Sequence, residues 1–166
     1  MANYLNNKEL DAMGKPKYTR GIRNNNPGNL RRLGNQLWSG EIPYAESQDT
    51  AFSQFKEMKY GVRALQRQIV TNLRRGLNTP EKFINSYAPP HENNTLAYIN
   101  SVAKALAIAT TSIIEPSEET VIALAKIIVK VENGASSKYV ADSDYTAAMA
   151  LNANLKLKKK ATPPKL

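Results

Sequence analysis

The clearest pattern in the chain is helical, and it dominates from residue 56 onward. In "KEMKYGVRALQRQIVTNLRRG" the apolar positions Met58, Val62, Leu65, Ile69 and Leu73 recur at spacings of three and four, which predicts an amphipathic helix stopped at Gly76. In "NTPEKFINSYAPP" a helix starts at a Thr79 cap with Pro80 in its first turn, and the Pro89–Pro90 pair ends it. "NNTLAYINSVAKAL" follows from an asparagine cap with Leu96, Ile99, Val102 and Leu106 on one face. Ser117 opens a further helix through "EETVIALAKIIVKVENG", with Glu118 and Glu119 in its first turn. A shorter helix is predicted over 143–154.

The stretch before residue 56 breaks this rhythm. Residues 1–19 read as weakly ordered. "RGIRNNNPGNLRRLGNQLWSG" is too rich in Asn, Gly and Pro for a helix, and its side-chain amides favour turns. "EIPYAESQDTAFSQF" is short and turn-broken, an irregular lobe with room for a small β-hairpin. The expected fold class is therefore mainly α with one small irregular or β lobe. Three segments are expected: an extension over 1–19, a domain over 20–155 and a basic disordered tail over 156–166.

One position violates the helical segregation. At about 100° per residue, Glu132 falls within about 20° of Val121, inside the stripe formed by Leu124, Ala125 and Ile128. A fraying helix end that reaches water would explain it. A functional carboxyl would also explain it, because apolar neighbours and a helix C-terminus both disfavour the ionised form. A carboxyl kept protonated beside a cleft is what glycosidic cleavage requires, since the leaving oxygen must receive a proton.

Composition narrows the alternatives. The 166 residues include no cysteine and a single histidine, His91, so disulfides, thiolate metal sites and multi-histidine zinc sites are excluded. No metal or cofactor is expected, which leaves acid/base chemistry on carboxylates. Net charge is +9 and the pI about 9.7, pointing to an anionic partner or surface. No apolar run approaches a membrane span, and "MANYLNNKEL" lacks the pattern of a secretory leader.

Several strings carry a resemblance. "RGIRNNNPGNLR", "WSGE", "FSQFKEMKYGVRAL", "YAPPHENNTLAYINSVAKAL" and "IIVKVENG" together resemble a group of phage and prophage peptidoglycan-lytic proteins, described as virion structural proteins or lytic transglycosylases. The lysins of enveloped double-stranded RNA phages lie nearby. The resemblance runs from about Arg20 to Tyr139. It implies a lysozyme-like, lytic-transglycosylase-like domain with Glu132 as general acid/base. Because the "VENG" helix comes after the "NNNPGN" turn, the order implies a circular permutation of the lysozyme-like arrangement. One departure is visible: the position before the acid, often histidine in similar proteins, is Val131 here.

The remaining candidates each have two readings. Glu92, Asn94 and Tyr98 either line the sugar cleft, as the resemblance implies, or build a turn, a helix cap and core. Glu41 and Glu46 from the small lobe, and Glu92 from its turn, could supply a second carboxylate or be ordinary loop charges, and Asp49 could be the same or a turn cap. Asn26 and Asn29 could bind N-acetyl groups or hold the turn, with Asn29 nearer the substrate. Trp38 could stack on a pyranose face or sit in the core. His91 reads as a surface turn residue.

The expected activity is cleavage of the MurNAc–GlcNAc bond of bacterial peptidoglycan by a phage lysin acting as a monomer in the periplasm or cell wall, carried in the virion or made in the infected cell. The positive charge would suit adsorption to an anionic envelope, and no nucleic acid is required. Two alternatives remain: an endopeptidase cutting peptide cross-links, and a non-catalytic virion or nucleic-acid-binding protein using the arginine clusters and lysine tail.

Overall fold

A computed structural model describes residues 3–88 and 94–160. Its six α-helices are α1 (Arg20–Arg23), α2 (Met58–Arg74), α3 (Pro80–Tyr87), α4 (Thr95–Leu106), α5 (Glu118–Asn133) and α6 (Asp142–Leu151), with 3₁₀ turns at Gly134–Tyr139 and Ala153–Leu155. The molecule is mainly α. No helix among the described residues is long and apolar enough to cross a membrane.

The core forms where the predicted apolar faces meet. α2 packs on α5 and α6, while α4 packs on α5 and α3. Val62, Leu65 and Ile69 of α2 are fully buried with Val121, Leu124 and Ile128 of α5 and Phe83 of α3. The caps form where the sequence places them. Thr79 Oγ1 accepts from the Lys82 amide and Ser117 Oγ from the Thr120 amide, both at 3.1 Å. Each cap is worth about 1 kcal/mol. α6 begins at Asp142 and yields to a 3₁₀ turn after Leu151, shorter than the predicted span.

Outside the helical core the structure departs from expectation in four ways. First, the asparagine-rich stretch opens with one helical turn, α1, whose residues Gly21 and Ile22 are buried. Ile22 supplies the apolar anchor that composition alone concealed. Second, no hairpin forms. The lobe holds isolated bridges, Arg31 with Phe52 and Glu41 with Phe55, because side-chain amides and Asp49 take the backbone groups a ladder would use. Third, residues 3–19 are tied down: Tyr4, Tyr18 and Tyr139 form a ring cluster with centroids 4.8–5.2 Å apart. The Asn3 side chain donates to the Lys56 carbonyl. Fourth, residues 156–160 dock on α5. The Lys158 and Lys159 carbonyls accept from the Glu118 and Glu119 amides, orphan donors at that helix N-terminus. Residues 161–166 lie outside the described residues.

Asp49 organises the lobe. Its carboxylate receives Arg20 Nε at 2.7 Å and Nη2 at 2.8 Å, Asn24 Nδ2 at 2.9 Å, and the Ala51 and Phe52 amides at 2.9 Å. The Arg20 guanidinium, with these amides, holds the carboxyl far below the usual carboxylate range, against the opposing effect of burial. Asp49 is the turn cap, not a free carboxylate. Asp49→Asn is expected to destabilise the protein by about 2 kcal/mol at neutral pH, by urea unfolding. Because the folded pKa is depressed, this contribution is fully present above about pH 4 and is lost as the pH falls below that. The gap between wild type and variant should close in acid.

Candidate functional site

The asparagines of "NNNPGN" have the same chemistry but four different jobs. Asn24 is buried and bridges Asp49 and Gln54. Asn25 takes a left-handed conformation, φ 49°, and donates to the Phe55 carbonyl. Asn26 is fully buried: its Nδ2 donates to the Leu30 and Ser53 carbonyls and its Oδ1 accepts from the Leu30 amide. No polar atom of that side chain is left for a ligand, which corrects the substrate-binding expectation for Asn26. Asn29 is also left-handed, φ 50°, and its Nδ2 points across to α5, 3.2 Å from Glu132 Oε2. Asparagine tolerates this conformation better than other side-chain-bearing residues.

The last turn of α5 is locked to the same loop. Asn133 is buried; its Nδ2 donates to the Pro27 carbonyl at 2.7 Å and the Val129 carbonyl at 2.9 Å, and its Oδ1 accepts from Thr19 Oγ1 at 2.7 Å. Gly21 makes this possible, because a Cβ there would stand 2.5 Å from Asn133 Oδ1. Glu132 therefore does not fray into solvent. It is half-buried and lines a cleft of about 500 Å³ with Gly28, Asn29, Trp38, Asn72 and Tyr87. Burial pushes its carboxyl pKa above the ordinary value, and the Asn29 amide offsets part of that rise. Val131 beside it faces outward, 45% exposed.

Other candidates separate cleanly. Trp38 lines the cleft, held by Glu41, whose Oε1 accepts from the Trp38 amide at 2.9 Å. Glu41 itself is buried and, like the exposed Glu46, is absent from the cleft wall. Neither is a second carboxylate beside Glu132. Asn94 is exposed and caps α4, accepting from the Ala97 amide at 3.2 Å, and it is not among the residues of the cleft wall. Tyr98 is buried and does not line the cleft; burial, then the Glu132 charge, push its hydroxyl pKa far up. Glu92 and His91 lie outside the described residues. No group of three or more His, Asp or Glu able to hold a metal occurs among the described residues.

Further residues line the wall. Gln68, Asn72 and Arg75 line the cleft from α2 and its cap, at spacings of four and three. That polar stripe was readable in the sequence, running along a helix whose other face is apolar. Tyr87 also lines it, its hydroxyl donating to the Gly28 carbonyl at 2.6 Å. Arg31, Arg32, Leu33 and Phe52 complete the lobe side.

Removal of the Asn29 amide tests the local electrostatics. Asn29→Gly keeps the left-handed backbone accessible and deletes a hydrogen bond that favours the carboxylate. The Glu132 pKa is expected to rise further, read by ¹³C NMR titration of its side-chain carboxyl.

A mainly helical domain in which a half-buried carboxyl meets an asparagine-built turn across an open cleft is the class of protein these features define. The chain is 36% identical over 126 residues to protein P5 of Pseudoalteromonas phage PM2, an alignment covering 74% of this chain and 76% of that protein. It belongs to the family of that phage protein. No protein-family model matches the chain.

Proposed function

We propose that this chain is a phage cell-wall lytic enzyme of lysozyme-like, circularly permuted type that cleaves the MurNAc–GlcNAc bond of peptidoglycan with Glu132 as its acid/base. The observation that carries this reading is the Glu132 carboxyl itself, half-buried in the cleft with its pKa raised by burial. Membership in a phage protein family suits it.

Among the described residues the cleft wall carries the carboxyl of Glu132 alone, which favours lytic transglycosylation over hydrolysis. Protonated Glu132 gives its proton to the glycosidic oxygen as the bond to the muramyl C1 breaks, releasing GlcNAc with a free hydroxyl. The resulting carboxylate then takes the proton of the muramyl 6-hydroxyl as that oxygen bonds to C1. The product is a 1,6-anhydro sugar, and Glu132 ends protonated, as it began. Asn29 suits this cycle because its amide stabilises the carboxylate form between the two proton transfers.

Mass spectrometry of soluble products from purified peptidoglycan tests the reading. Anhydro-muropeptides are expected. Hydrated disaccharides would replace transglycosylation with hydrolysis, free peptides would indicate an endopeptidase, and no products at all would overturn the lytic reading.

A further inference from the structure

The same cleft has a charge imbalance that acid catalysis does not use. Three guanidinium groups line it, Arg31 and Arg32 from the lobe and Arg75 from the end of α2, against the single carboxyl of Glu132. Two are held on aromatic rings: Arg31 lies over Phe52 at 4.9 Å and Arg32 over Tyr44 at 4.3 Å. Arg32 Nη2 is bonded to the Asp49 carbonyl, while its Nε is buried with no hydrogen-bond partner. The Arg75 side chain forms no hydrogen bond or ion pair among the described residues. Arg20, elsewhere in the lobe, has a dedicated carboxylate in Asp49, whereas none of the three cleft arginines makes an ion pair among the described residues.

We propose that Arg31, Arg32 and Arg75 form an anion subsite that takes a carboxylate of the substrate's peptide stem, so that the cleft selects peptide-bearing muropeptides over neutral glycans. This rests on the lytic reading and names its substrate class more narrowly. Guanidinium matches carboxylate through paired N–H donors, and the stacked rings fix the orientation of Arg31 and Arg32 in advance of binding. Burial raises the Glu132 pKa and the Asn29 amide offsets part of that rise, in the same cleft as the three cations. A neutral chitin strand would leave all three cations uncompensated.

The sole tryptophan, Trp38, lies in this cleft and reports its occupancy by fluorescence. The Glu132→Gln protein, which would not consume the ligand, is titrated with a GlcNAc–MurNAc tetrapeptide, with the same disaccharide stripped of peptide, with chitotetraose and with a short DNA duplex. The titrations are repeated with Arg75→Gln added. The tetrapeptide form is expected to bind at least about tenfold more tightly than the stripped disaccharide, and Arg75→Gln to remove most of that difference while leaving chitotetraose binding unchanged. Equal binding of the three glycans, no binding by any, a uniform loss in Arg75→Gln, or a response to DNA alone would each overturn the subsite. Retention of the lactyl carboxylate after stripping separates the two possible carboxylate sources: tight binding of the stripped disaccharide assigns the anion to the lactyl group and overturns the stem assignment. Peptidoglycan products from the wild type without any peptide preference would sink the subsite alone. Peptide preference without products would sink the catalytic reading and leave the subsite standing.

Discussion

Glu132→Gln is expected to lower the rate of peptidoglycan cleavage by about 10³-fold while raising the thermal stability of the protein at neutral pH. The first effect follows from removing the only carboxyl of the cleft wall among the described residues. The second follows from the same burial that raises the Glu132 pKa. Between the unfolded pKa, near 4.5, and the higher folded one, the native state binds more protons than the unfolded chain, so stability falls as pH rises through that window. Above it, the wild type carries the full penalty of a half-buried carboxylate. Glutamine keeps the shape, still accepts from Asn29 Nδ2 and has no charge to desolvate. The Tm of the variant should therefore exceed that of wild type at neutral pH, and the two should converge below about pH 4. A kinetic corollary has the same origin: wild-type activity should decline on the alkaline side through the raised Glu132 pKa, and Asn29→Gly should move that limb upward. Activity equal to wild type would remove Glu132 from the mechanism. A lower Tm at neutral pH would contradict the burial argument independently.

How Glu132 could be found from sequence and Asn26 could not is a matter of what repeats. α5 is periodic over four turns, and one acid inside an apolar stripe is visible against that regularity. Helix caps are visible for a related reason, since Ser117 and Thr79 act on backbone groups only a few residues away. The turn lobe has no period. Asn24, Asn25, Asn26 and Asn29 are chemically identical, and what separates them is a φ angle and a partner 25 to 103 residues distant. Glu41 illustrates the same limit: a buried carboxylate fixing the Trp38 amide and an exposed loop charge are indistinguishable by type. Glu46 is the exposed one. The α2 stripe is a different case, because Gln68, Asn72 and Arg75 obey helical spacing but lie on the polar side. A polar face is ordinarily turned to solvent, yet Asn72 is buried, receiving Gln68 Nε2 at 3.0 Å.

Gly61→Ala should destabilise the protein by about 3 kcal/mol or prevent folding, although the same change in most helix interiors stabilises by about 0.5–1 kcal/mol. Gly61 lies in the first turns of α2 and is buried against the asparagine turn. A Cβ built there would stand 1.8 Å from the Asn25 carbonyl oxygen, 2.8 Å from its carbon and 3.2 Å from the Asn26 Cα. These are backbone atoms, so no rotamer change relieves the overlap. The turn cannot retreat either: the Asn25 side chain is bonded to the Phe55 carbonyl, and both sides of the Asn26 amide are engaged. Relief would have to come from moving α2 away from the turn, opening the interface where Leu65 is fully buried beneath Gly28. Since Asn29 follows directly in that loop and Gly28 accepts from the Tyr87 hydroxyl, displacement would reach the cleft as well as the core. Urea denaturation of Gly61→Ala and of Gly76→Ala separates the steric effect from loss of a glycine as such. Gly76, at φ 97° and with open space around its Cα, has only its backbone conformation to lose. Its alanine variant should fall by about 1 kcal/mol, well short of Gly61→Ala; comparable losses at the two positions would mean that α2 does not rest on the turn so closely.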